Sequence, residues 1–98
     1  MSTALIRYRV KPGRAEENAG LVRAVYAELA DVRPEGFRYA TFKLPDGVSF
    51  VHFALYDDAD VNPLADLAAF REFSSGIRER CEEPPAVSEL EAVGTYRL

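Results

Sequence analysis

FRYATFKLPDGVSFVHFALY, residues 37–56, is dense in aromatic and β-branched side chains on both sides of Pro45-Asp46-Gly47. That composition predicts two strands, over 37–44 and 48–56, and the residues between them suit a type I turn followed by a glycine bulge. Closing the turn at Leu44 and Val48 sets Ala40 across from His52, Arg38 across from Ala54 and Phe42 across from Phe50. One face of the hairpin then carries Phe37, Tyr39, Thr41, Val51, Phe53 and Leu55, nearly all apolar. The other carries Arg38, Phe42, Phe50, His52, Ala54 and Tyr56.

Residues 4–10 alternate Ile6, Tyr8 and Val10 with Arg7 and Arg9, the period of a strand with one apolar face. Lys11-Pro12-Gly13 ends it. Glu16 and Glu17 then put negative charge where a helix macrodipole favours it, and Asn18, Val22, Val25, Leu29 and Val32 recur at three and four residues, giving a helix to about Asp31. Arg33-Pro34-Glu35-Gly36 stops that helix. On the other side, Asn62-Pro63 reads as a cap and first helical residue, and Leu64, Leu67, Phe70, Phe73 and Ile77 form the apolar side of a second helix, weakened at Gly76. Beyond Glu82-Glu83-Pro84-Pro85, residues 89–98 alternate Leu90, Ala92, Gly94 and Tyr96 with Glu91, Val93, Thr95 and Arg97, the pattern of a fourth strand.

Strand, helix, hairpin, helix, strand is the ferredoxin-like order β-α-β-β-α-β. It predicts one α+β domain over residues 1–98, with a four-stranded antiparallel sheet and two helices on one face. A chain of 98 residues supports one core and buries only about two thirds of its unfolded surface, so a homodimer is expected. Matching the hairpin's apolar set to Ile6, Tyr8 and Val10 puts that set under the helices. The bare face then collects Arg7, Arg9, Arg38, His52, Tyr56, Glu91 and Arg97 among Phe42, Phe50 and Ala54, an apolar floor with a few polar groups such as a small-molecule pocket needs.

His52 is the only histidine, and a side chain that titrates near neutrality suits a general base. The bland alternative is a histidine packed between sheets and hydrogen-bonded to a neighbour. Arg7, Arg9 and Arg38 have the donor fork for a carboxylate or phenolate oxygen, or else are solvated or dimer-bridging charge. Tyr56 is a hydroxyl donor or simple packing; Tyr8 and Tyr39 fall in the apolar set and are read as core.

A net charge of −4 with scattered Lys and Arg argues against a nucleic-acid partner. The apolar runs are far shorter than the roughly 20 residues of a spanning helix, and the amino end leads straight into a strand. The expectation is a cytoplasmic protein that does not enter membranes. A single Cys81 can form no internal disulfide and no thiolate cluster. Asp57, Asp58 and Asp60 lack the glycine and distal glutamate of a calcium loop, and one histidine cannot hold zinc, so no metal site is expected.

The run Ile6-Arg7-Tyr8-Arg9-Val10-Lys11-Pro12-Gly13, the hairpin segment from Phe50 to Tyr56 and the helix with Phe70 and Phe73 together resemble the antibiotic biosynthesis monooxygenase-like proteins. The resemblance spans nearly the whole chain. It implies a dimeric α+β barrel in which two sheets face one another, with each lumen a pocket. It further implies an aromatic or polyketide-like ligand, oxidised in some members by molecular oxygen without metal or flavin. His52 is then the candidate base, with Arg7 or Tyr56 as donors to the substrate oxyanion, and Arg9, Arg38, Phe42 and Phe50 line the pocket. Ala54 stands where many relatives carry Glu, and the second helix lacks their early His. The absence of Trp separates the chain from the haem-degrading branch. A non-catalytic ligand-binding or stress-response dimer and a purely structural dimer of the same fold are the alternatives.

Overall fold

The alternating and helical patterns become the elements β1 (Ser2–Val10), α1 (Ala15–Val32), β2 (Phe37–Lys43), β3 (Ser49–Tyr56), α2 (Ala68–Ser75), α3 (Ile77–Arg80) and β4 (Cys81–Leu90), with a 3-10 turn over Pro63–Asp66. The computed structural model describes residues 2–98. Its four strands form one sheet in the order β2-β3-β1-β4, every neighbour antiparallel. This is the ferredoxin-like arrangement. No helix among the described residues is long and apolar enough to cross a membrane.

Tyr8 and Val10 of β1, Val22 and Val25 of α1, Phe50 of β3 and Phe73 of α2 are buried together. Completely removing a side chain such as Val10 from water stabilises the fold by roughly 1.5–3 kcal/mol. α1 carries Glu16 and Glu17 in its first turn. It ends with Arg33 in the left-handed region, φ 48°, whose N–H bonds the Leu29 carbonyl at 2.8 Å.

The hairpin turn differs by one residue from the sequence expectation. Asp46 Oδ1 accepts from the backbone N–H of Val48 at 2.9 Å and of Ser49 at 2.8 Å, and its Oδ2 accepts from the Ser49 hydroxyl at 2.6 Å. These bonds draw Val48 into the turn, so the ladder closes between Leu44 and Ser49. Tyr39 therefore faces Ala54, Thr41 faces His52 and Lys43 faces Phe50. With a side-chain period of two, that step turns β3 over. Phe50, His52, Ala54 and Tyr56 lie on the helix side with Ile6, Tyr8, Val10, Tyr39 and Thr41, while Val51, Phe53 and Leu55 go to the open face with Arg7, Arg9, Arg38, Ala40 and Phe42.

Two further expectations are corrected. The fourth strand is Cys81–Leu90, not 89–98; residues 91–98 have no regular structure and are exposed. Pro84 and Pro85 are accommodated because β4 is an edge strand and because both lie in a bulge, between the pairs Arg7–Ala86 and Arg9–Glu83. The expected second helix is divided. Asn62 caps only the 3-10 turn, its Oδ1 accepting from Leu64 N–H at 3.1 Å, and Leu67 is extended. Glu28 of α1 then supplies the missing cap of α2, its carboxylate accepting from the N–H groups of Ala68 and Ala69 at 3.3 and 2.8 Å.

Candidate active site

Ala4 and Ala54 are paired across β1 and β3 on the helix side of the sheet. Two methyl side chains at adjacent positions leave space that larger residues would fill, and a cavity of about 300 Å³ opens above them. Ile6, Tyr8, Tyr39, His52 and Tyr56 form its sheet side, and Leu64, Phe70, Phe73 and Ile77 close it from the 3-10 turn, α2 and α3. Asn62, Ser74, Pro85 and Val87 complete the wall. The volume is at the low end of the roughly 300–1,000 Å³ typical of small-molecule sites. The lining is mainly aromatic and aliphatic, so the polar groups that remain decide how a ligand is oriented.

His52 is 3% exposed and packs among the rings of Tyr8, Tyr39 and Phe73, at centroid distances of 5.3, 5.6 and 5.6 Å. Both its nitrogens are engaged: Nε2 by the Tyr8 hydroxyl at 2.8 Å, and Nδ1 by the Tyr39 hydroxyl at 2.6 Å and Thr41 Oγ1 at 3.1 Å. Thr41 is bonded in turn to the Tyr26 hydroxyl at 2.8 Å. Behind Tyr8, Asn18 Nδ2 donates to the tyrosine oxygen at 2.8 Å, and Arg80 Nε lies 3.2 Å from Asn18 Oδ1. Arg80 is 2% exposed. It also donates to the Phe73 carbonyl at 2.8 Å and lies over the Phe73 ring.

Desolvation lowers the His52 pKa to about 4, so the ring is neutral at neutral pH. Burial raises the pKa values of Tyr8, Tyr39 and Tyr56, keeping their hydroxyls protonated and able to donate. The polar end of the cavity is thus an uncharged array of donors and acceptors in an apolar enclosure, suited to holding a ligand oxygen. Among the described residues no group of three or more His, Cys, Asp or Glu side chains is arranged to hold a metal.

Of the residues singled out from the sequence, His52 and Tyr56 line this cavity. Phe50 lies deeper, stacked on Tyr8 at 5.5 Å between centroids. Arg7, Arg9, Arg38 and Phe42 are on the other side of the sheet and do not reach it, because the register placed β3 on the opposite face from theirs. Arg7 is exposed there. Arg9 pairs with Glu82 and Glu83, at 3.6 and 3.1 Å, and Arg38 lies 3.8 Å from Asp57. Arg38 and Phe42 border a wider depression on the open face, under residues 90–95, which contains no histidine. Glu91 also borders it, while Arg97 stacks on Tyr96 in the exposed tail. The cavity of this chain thus lies between sheet and helices, on the opposite side of the sheet from the face where the sequence placed the pocket.

Tyr8, Tyr39, Thr41, Asn18 and Arg80 were not expected at the site. Asn18 within an otherwise apolar helical stripe was the available signal; the register read from the sequence put Tyr8, Tyr39 and Thr41 on the face opposite His52. A buried polar residue requires a partner, and these residues are one another's partners.

No protein-family model and no curated protein matches the sequence. Solved structures do match in fold. SnoaB, a cofactor-independent oxygenase from Streptomyces nogalater, is 22% identical with a TM-score of 0.72, over 99% of this chain and 97% of its own. An antibiotic biosynthesis monooxygenase is 17% identical with a TM-score of 0.76, over 96% of this chain and 100% of its own. A protein of unknown function from Nitrosomonas europaea is 17% identical with a TM-score of 0.74, over 97% of this chain and 92% of its own. The chain has the fold of the antibiotic biosynthesis monooxygenase-like proteins.

Proposed function

We propose that this protein takes a small aromatic or polyketide-like compound into the cavity between sheet and helices and acts on it as a cofactor-independent monooxygenase. The observation that carries the reading is an aromatic-lined cavity ending on a buried histidine whose two nitrogens are held by tyrosine and threonine hydroxyls. The fold shared with a cofactor-independent oxygenase supports it.

In this reading the apolar walls stack on the substrate rings and exclude water, and the polar end stabilises the oxyanion left when an acidic phenol or methylene ionises. The resulting carbanion reacts with molecular oxygen. One oxygen atom becomes a new carbonyl oxygen, and the other leaves as water with the two hydrogens lost from the carbon. His52 meets the substrate through the Tyr39 hydroxyl, since both its nitrogens are occupied.

The same reading includes a homodimer. The open sheet face presents Leu5, Ala40, Phe42, Val51, Phe53 and Leu55, with Phe42 56% exposed, and a second copy of that face packs against it sheet to sheet.

The test is oxygen uptake by metal-stripped protein against anthrones, naphthols and hydroquinones, with product identification. Uptake with quinone formation is expected. It is lost in His52→Ala and in Ala54→Leu, whose larger side chain fills the cavity floor. A neutral histidine with both nitrogens engaged also suits a binding protein that performs no chemistry. Tight binding without oxygen uptake selects that second reading.

A further inference from the structure

Asn18 and Arg80 lie outside the cavity wall, yet buried hydrogen bonds connect them to it, and the chemistry of each group fixes the direction of those bonds. Arginine has donors only, so the Asn18 atom 3.2 Å from Arg80 Nε is the amide oxygen. The Asn18 NH₂ therefore faces Tyr8 and donates to its oxygen at 2.8 Å. The Tyr8 side chain is buried, and the partner left for its own proton is His52 Nε2, at 2.8 Å. If Nε2 carried a proton instead, the Tyr8 hydroxyl would be left without an acceptor inside the protein, at a cost of roughly 1–3 kcal/mol. Nε2 is consequently the acceptor, and the ring proton sits on Nδ1. From there it is donated to the Tyr39 oxygen at 2.6 Å in preference to Thr41 at 3.1 Å. The Tyr39 hydroxyl proton, relieved of His52, is free for the cavity that Tyr39 lines.

We infer that Arg80 and Asn18 are positioning residues that lock His52 in the Nδ1–H tautomer and so turn the Tyr39 hydroxyl into a donor for a phenolate, enolate or carbonyl oxygen in the cavity. Every bond from Arg80 to Tyr39 points the same way. Among the described residues the Arg80 guanidinium pairs with no carboxylate, so its charge polarises the series rather than being cancelled at its start. The tautomer is independent of any function. The role of Tyr39 toward a ligand rests on the reading proposed above.

Because His52 is the only histidine, a long-range nitrogen–proton NMR spectrum of the ¹⁵N-labelled protein at neutral pH reports its tautomer without assignment. The expected spectrum has Nδ1 protonated and Nε2 at the far-downfield position of a bare ring nitrogen. A protonated Nε2 in the wild type overturns the inference. Asn18→Asp keeps the shape and the Arg80 contact but can only accept from Tyr8. The Tyr8 oxygen then accepts from His52, and the tautomer is expected to flip to Nε2–H. A folded Asn18→Asp protein that retains Nδ1–H is a second contradiction, and Tyr8→Phe, should that variant not fold, is expected to give the averaged shifts of mixed tautomers. With 2-naphthol as probe, Asn18→Asp and Tyr39→Phe each weaken binding about tenfold, the share of one neutral hydrogen bond, and are not additive. Full additivity overturns the coupling. Absence of naphthol binding in every variant counts against the proposed ligand site and leaves the tautomer spectrum to decide the rest.

Discussion

His52 shows how one side chain links folding to the site. The folded ring takes a proton only near pH 4, whereas an unfolded histidine does so near pH 6.5. Between these values the unfolded chain binds more protons. Stability from this group is therefore intact above about pH 6.5 and falls as the pH drops toward 4, by about 3 kcal/mol in all. Urea unfolding near neutrality and near pH 4.5 should show this loss in the wild type, and His52→Gln should lose correspondingly less; parallel losses in the two proteins would contradict the assignment. His52 could be singled out from the sequence because it is the only histidine in the chain. Its partners were not. Tyr8 and Tyr39 have the pattern of core residues, and nothing in strand periodicity says which tyrosines place a hydroxyl against an imidazole.

Among the elements, α1 and the first three strands were legible within a few residues because their periodicities are long and uninterrupted. The face of β3 was not legible. It depends on whether Asp46 captures one or two backbone N–H groups beyond Gly47, and the capture of both Val48 and Ser49 turned Phe50, His52 and Tyr56 to the helix side, away from Arg7, Arg9, Arg38 and Phe42. β4 was misplaced because Pro84 and Pro85 were read as a break, although an edge strand with a bulge accommodates both. Arg33, held at φ 48° at the end of α1, occupies a conformation that costs a non-glycine residue roughly 1–2 kcal/mol. Arg33→Gly should therefore raise stability by about 1 kcal/mol in urea unfolding, and a loss would contradict this account of the helix end. Deleting residues 91–98 should leave the strand content and the unfolding transition of the sheet in place, since β4 ends at Leu90; loss of the cooperative transition would mean that the tail is structural.

At the scale of the molecule, the order of elements and the layering followed from the sequence, because only one side of the sheet is supplied with helices. The location of the pocket did not follow, since a cavity arises from residues that are too small, here Ala4 and Ala54, rather than from any motif. In the proposed reading the apolar open face is covered by a second copy of the chain. Phe53→Glu, on that face and away from the cavity, should convert a dimer to a monomer in analytical ultracentrifugation while leaving the His52 resonances unchanged. A monomeric wild type would contradict the assignment.

In the proposed function, ligands enter between sheet and helices. This is tested most directly by titrating the labelled protein with the same anthrones, naphthols and hydroquinones and following chemical shifts residue by residue. Saturable shifts at His52, Tyr39, Phe73 and Tyr56 are predicted. Shifts confined to Arg38, Phe42 and Phe53 on the open face, or no shifts with any compound, would contradict it.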